Sequence, residues 1–220
     1  MTARTTRRIA VIAAGLSQPS STRLLADRLV EATRRRLADD GVEVEVSVLE
    51  RRDVATDITN NMLTGFASPR LDAEIQKVVS ADALIAVTPI FTTSYSGLFK
   101  SFIDILQPDS LTGMPVLIGA TGGTERHSLA LDYALRPLFT YLHTVVVPTA
   151  VFVASSDWGS AGDASSGGLP ERIDRAAREL AALAVDHDRA QRVRDPFALP
   201  GDVARGTGWG CAAVPPRAGA

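Results

Sequence analysis

The sequence predicts an α/β fold in three layers, a doubly wound sheet of five parallel strands in the order 2-1-3-4-5 with helices on both faces. Three observations predict it. Short apolar runs that do not alternate, as strands buried on both faces must read, are separated by stretches that are apolar at helical spacing. One run, Val42 to Leu49, alternates strictly, as a strand at a sheet edge does. The segments that leave three of the strands at their carboxyl ends are rich in Ser, Thr and Gly, where an open parallel sheet binds ligands.

Ile9 to Ala14 is the first strand, and Leu25, Leu29, Val30 and Leu37 mark the apolar face of the helix after it. Between them, Gly15 to Arg23 holds one Gly, one Pro, four hydroxyls (Ser17, Ser20, Ser21, Thr22) and an arginine. Free N–H groups at a helix N-terminus attract anions, so this is the chemistry of a phosphate cradle. Gly-x-Gly-x-x-Gly is absent, as are the second Gly and the Lys-Ser/Thr pair of a P-loop. Hydroxyls in place of glycines suit a terminal monophosphate, although Ser and Thr are also common helix caps.

Val42 to Leu49, placed outside the first strand, makes the order flavodoxin-like. Glu50 to Pro69 has mixed polarity, with a short helix expected around Asp57 to Leu63, and Ser68-Pro69 leads into a helix from about Arg70 to Ala81. A connection of this length suggests function or subunit contacts. Ala83 to Val87 is the central strand, followed by a loop rich in hydroxyls, Thr88 to Ser96. Ser94 or Ser96 can cap the next helix, whose apolar side is Leu98, Phe99, Phe102, Ile103, Ile105 and Leu106.

Val116 to Ala120 is the fourth strand and runs into Thr121-Gly122-Gly123-Thr124, where paired glycines let backbone approach a ligand. A plain turn reads equally well there. The fourth-strand helix, His127 to Leu142, contains Pro137, which removes a hydrogen bond and predicts an irregularity near Tyr133. Thr144 to Val153 is the fifth strand, Ser155 to Gly168 an exposed loop containing Asp157-Trp158-Gly159, and about Pro170 to Asp188 the last helix. One domain over residues 1–190 is expected, followed by a Pro/Gly/Ala-rich tail over 191–220 that reads as disordered.

A formal net charge of -2 gives no electrostatic case for nucleic acid, and the Arg34-Arg35-Arg36 cluster suits a helix end. The apolar run behind the basic start is too short for a signal core or a membrane span, so a cytoplasmic protein is expected. The single Cys211 excludes an internal disulfide. No Ser-His-Asp or metal-ligand cluster stands out, and His127, the one histidine near a predicted ligand loop, reads as a surface residue.

Thr88-Pro89-Ile90-Phe91 with Ser94-Tyr95-Ser96-Gly97-Leu98-Phe99-Lys100, then Ala120-Thr121-Gly122-Gly123-Thr124 and His127 through Pro137, resembles the NADPH-dependent FMN reductase family. The likeness is strongest to the reductases paired with luciferase-like or alkanesulfonate monooxygenases and spans about Ile9 to Trp158. It implies FMN, with NADPH or NADH as co-substrate, hydride passing from nicotinamide C4 to flavin N5, and no protein acid or base. It also implies that Ser17, Ser20, Ser21, Thr22 and Arg23 hold the phosphate, although the loop departs from the commoner Gly-Ser-x-Arg opening. Pro89, Ile90, Phe91 and Thr92 would line the isoalloxazine with Ser94, Tyr95 and Ser96 beside it, and Thr121, Gly122 and Gly123 would present backbone to its polar edge. Tyr133 matches a position linked with flavin transfer at a subunit interface.

The implied partners are a flavin-dependent monooxygenase and further copies of the chain, as a homodimer or tetramer packed through the helices that follow the third and fourth strands. Two other readings share the fold. One is a quinone or azo reductase that keeps its FMN; the other is a non-catalytic flavodoxin-type electron carrier or flavin-binding regulator. Electron carriers of that type are usually strongly acidic, which disfavours them here. A receiver domain would need clustered carboxylates after the first strand and a phosphorylatable Asp after the third, and this sequence has neither.

Overall fold

A computed structural model describes residues 6–158 and 168–185. The tail beyond 190, Cys211 and most of the 155–168 loop lie outside the described residues.

Strand β1 (Thr6–Ala13) pairs in parallel with β2 (Glu43–Glu50) on one side and with β3 (Ala83–Phe91) on the other. β3 pairs with β5 (Pro115–Gly122), reached after the two-residue β4 (Ser94–Tyr95), which folds back antiparallel on the end of β3. The position beyond β5 is shared by β6 (Val145–Val146) and β7 (Val151–Ala154), both parallel to β5. The order 2-1-3-4-5 therefore holds for the main strands, with the fifth broken in two. The break has a cause: Pro148 has no N–H to donate, and the Thr149 N–H and hydroxyl turn to Glu179, each at 2.7 Å.

Each central strand is buried on both faces, with alternate residues feeding two cores. Ala10, Ile12, Leu84, Ala86, Val116 and Ile118 face one core. It is built with α2 (Ala55–Thr64), α3 (Pro69–Val79), α4 (Gly97–Asp104) and α5 (Arg136–Tyr141). Ile9, Val11, Ile85, Val87 and Leu117 face the other, made with α1 (Ser21–Asp39) and α6 (Leu169–Val185). β2 lies at the edge, as its alternation requires, and much of it is half-exposed.

Local chemistry sets the helix starts. Ser20 caps α1 by accepting from the Arg23 N–H at 3.2 Å, so the helix starts at Ser21, and Ser68 caps α3 with Pro69 in its first turn. Ser96 caps α4 through the Phe99 N–H, and its own N–H donates to the Thr88 hydroxyl at 3.1 Å. The irregularity near Tyr133 is a π-turn, Leu131–Leu135, in which the Arg136 N–H reaches back to the Leu131 carbonyl. Pro137 next in line cannot supply the bond that an α-helix would send to Tyr133.

The loop after β3 is tighter than a simple connection. The strand runs on to Phe91, and Thr92 and Thr93 form the two-residue turn into β4 with φ of 49° and 69°. Both are β-branched residues in the left-handed region, so this turn is strained. Among the described residues no helix is long and apolar enough to cross a membrane.

Candidate active site

Three loops converge at the carboxyl ends of β1, β3 and β5 around a cleft of about 410 Å³. From the first come Gly15, Leu16, Ser17, Ser21 and Thr22; from the second Pro89, Ile90 and Phe91; from the third Thr121, Gly122 and Gly123. Ser155 and Trp158 close the far side from the 3₁₀ turn after β7. The volume falls in the usual range of small-molecule sites.

The first and third loops are joined directly. Thr22 and Thr121, both buried, share a hydrogen bond between their hydroxyls at 2.9 Å. At the start of α1 the Ser20 side chain takes the Arg23 N–H, the N–H groups of Ser21 and Thr22 lie outside the helix ladder, and Ser17, Ser21 and Thr22 all line the cleft. Gly15 has no room for a side chain, since an ideal Cβ there would stand 2.0 Å from Ser20 Oγ. The cleft thus offers neutral donors at one end, an apolar wall of Pro89, Ile90 and Phe91 in the middle, and backbone at the glycine pair.

Nine of the residues read from the sequence line this cleft: Ser17, Ser21, Thr22, Pro89, Ile90, Phe91, Thr121, Gly122 and Gly123. The others do not line it. Ser20 and Ser96 are spent as helix caps, Tyr95 packs on Phe99 with ring centroids 6.1 Å apart, and Thr92 and Ser94 belong to the strained hairpin. Arg23 turns from the loop to Asp27 at 2.8 Å and Glu50 at 2.6 Å; those hydrogen bonds, Asp27's foremost, raise its pKa above the ordinary guanidinium value. Tyr133 is highly exposed on the π-turn and does not line the cleft, and His127 is half-buried on a 3₁₀ turn away from its wall.

Gly15, Leu16, Ser155 and Trp158 escaped the sequence reading as site residues. The available signal was position, because Ser155 and Trp158 follow the fifth strand's carboxyl end as the other loops follow theirs. Trp158 is steadied by the Arg28 guanidinium 5.0 Å above its ring. The adjoining Asp157 carboxylate accepts from the Ala154 N–H at 2.7 Å and from Arg172 at 3.0 Å.

Residues 7–159 match the NADPH-dependent FMN reductase family, which is more than half of the chain and includes all three loops. The chain belongs to that family. It is 32% identical over 176 residues, 80% of this chain and 91% of the relative, to the FMN reductase (NADPH) of Pseudomonas aeruginosa. It is 33% identical over 175 residues, 80% of this chain and 91% of the relative, to the NADH-dependent FMN reductase SfnE of Pseudomonas putida. A crystal structure of an oxidoreductase from Corynebacterium diphtheriae superposes with a TM-score of 0.79 at 46% identity, over 83% of this chain and 99% of that one.

The cleft of this FMN reductase family member fits FMN on its own chemistry. Hydroxyl and backbone donors at a helix start suit a phosphate. The apolar wall suits a flat ring system, and a side chain at Gly123 would meet only open space, so backbone is presented bare.

Proposed function

We propose that the protein binds FMN and NADPH or NADH together in this cleft, reduces the flavin by hydride transfer, and releases reduced FMN to a flavin-dependent monooxygenase. The observation that carries the reading is the convergence of hydroxyl, apolar and glycine loops on one cleft that the family match spans from end to end. FMN supplies the electrophilic ring nitrogen that accepts the hydride. The protein's part is binding and alignment. Ser17, Ser21 and Thr22 with the first N–H groups of α1 hold the phosphate, and Pro89, Ile90 and Phe91 bear on one side of the ring. Thr121, Gly122 and Gly123 bear on its polar edge, and Trp158 shields the outer side from water.

The neutral lining agrees with flavin as a passing substrate: among the described residues no Lys or Arg borders the cleft. Leu129 just before the π-turn, Tyr133 on it and Tyr141 at the end of α5 are all strongly exposed large apolar or aromatic side chains, which supports a homodimer or tetramer packed through this segment and a part for Tyr133 in flavin transfer. The test is anaerobic stopped-flow mixing of the protein with FMN and each nicotinamide, followed by ultrafiltration. Rapid reduction with reduced flavin in the filtrate supports the reading. Reduced flavin retained with the protein would favour an FMN-holding quinone or azo reductase, and absence of reduction would overturn the enzyme reading.

A further inference from the structure

An ion-pair cluster that the hydride transfer does not use lies behind the phosphate loop. Its centre is Glu50, the last residue of β2, paired in register with Ala13 at the end of β1, where the loop departs. One carboxylate oxygen accepts from Arg23 Nη1 at 2.6 Å, and the other meets Arg52 Nη2 at 2.6 Å. Arg23 is held a second time by Asp27 at 2.8 Å, and Arg52 Nε stands 3.6 Å from Asp53. Arg52 also reaches the loop itself: Nη1 donates to the Ser17 carbonyl at 3.3 Å, and with the Gln18 amide assigned by its surroundings, oxygen toward the guanidinium, that oxygen accepts from both terminal nitrogens. Two guanidiniums therefore face three carboxylates beside a loop whose cleft-lining residues carry no cation among those described.

A dianionic phosphate gains most from donors that carry charge, which are about twice as strong as neutral ones. Arg23 at the end of the loop and Arg52 bonded to it are both engaged by carboxylates in this arrangement, and the cluster of these five side chains is acidic by one charge. We propose that Glu50 withholds Arg23 and Arg52 from the flavin phosphate, so that FMN is held by neutral donors alone and exchanges readily. This rests on the flavin reading of the cleft. Glu50 is a positioning residue in it: it touches neither flavin nor nicotinamide, and it sets affinity through the cations it occupies.

The test is equilibrium titration of wild type and variants with oxidised FMN and with riboflavin, which lacks the phosphate, followed by flavin fluorescence. Glu50→Gln is expected to tighten FMN by about tenfold and to leave riboflavin unchanged, with the gain shrinking as salt rises. Adding Arg23→Gln to Glu50→Gln removes most of that gain. Asp27→Asn, which leaves the Glu50–Arg52 pair in place, tightens FMN in the same direction by less, and it covers the case in which Glu50→Gln folds poorly. FMN affinity unchanged or weakened in both acidic variants, with wild type still binding FMN, overturns the inference alone. Wild type that binds neither flavin overturns the flavin reading and this inference together.

Discussion

Gly15→Ala is the sharpest structural probe of the loop after β1. An ideal Cβ at this position lies 2.0 Å from Ser20 Oγ and 3.2 Å from both Ser20 Cβ and Thr22 Cβ. The first distance is impossible, so the Ser20 hydroxyl must rotate away from the Arg23 N–H that it caps at 3.2 Å. Losing such a cap costs about 1 kcal/mol, and the remaining crowding of two Cβ atoms adds about 1 kcal/mol more. Together these lower the melting temperature by about 4–8 °C in a chain of this size. The same displacement moves Ser21 and Thr22, so FMN affinity should fall by about tenfold or more. Thermal unfolding and flavin titration read the two effects. The double variant Gly15→Ala with Ser20→Gly removes both clashing Ser20 atoms and exchanges the cap for one weaker by only a few tenths of a kcal/mol. It should therefore be more stable than Gly15→Ala alone, a non-additive rescue. A Gly15→Ala protein that melts and binds FMN like wild type would refute the reasoning.

Three further outcomes follow from strain, burial and charge. Thr92→Asn with Thr93→Gly, which suits a turn with two left-handed residues, should stabilise the fold by about 1–2 kcal/mol in urea unfolding, and a loss of stability would contradict the strained geometry. Arg51 is fully buried over the Phe102 ring at 3.5 Å, its Nε, Nη1 and Nη2 without a hydrogen-bond partner among the described residues, and burial lowers its pKa well below the ordinary value. Arg51→Met should raise stability by about 1–3 kcal/mol, whereas a fall would mean that the guanidinium is satisfied in solution. Asp174 is held below the ordinary carboxylate range by hydrogen bonds from Arg36 and Arg178. A depressed folded pKa adds stability above the unfolded value near about 4, lost as pH falls through the folded one. Asp174→Asn should melt below wild type at neutral pH, with the gap closing toward acid; a gap independent of pH would contradict the pairing.

The elements readable from the sequence were those whose cause is local. β1, β3 and β5 are continuous apolar runs because both faces are covered, and Ser68-Pro69 marks a helix start through its own cap. Pro137 forecast the irregularity at Tyr133 because a missing N–H acts one turn back. The features that were not readable depend on distant partners. Nothing near Arg23 shows that Glu50, far along the chain, claims it, so a phosphate ligand and an ion-paired arginine read alike. The fifth strand's break needed Glu179 as well as Pro148, and Thr92-Thr93 carries no glycine to announce a left-handed turn. Trp158 lines the cleft beside Arg28 and the Arg172–Asp157 pair, contacts that reach across the chain and leave no mark in the residues around it.

The most direct test of the central claim is anaerobic steady-state oxidation of NADPH or NADH by a small amount of protein with FMN in large excess. The account predicts saturable dependence on free FMN, with many equivalents of FMN reduced per protein chain, because the flavin enters and leaves the neutral cleft at every cycle. Reduction that stops at about one equivalent per chain, independent of added FMN, would contradict it.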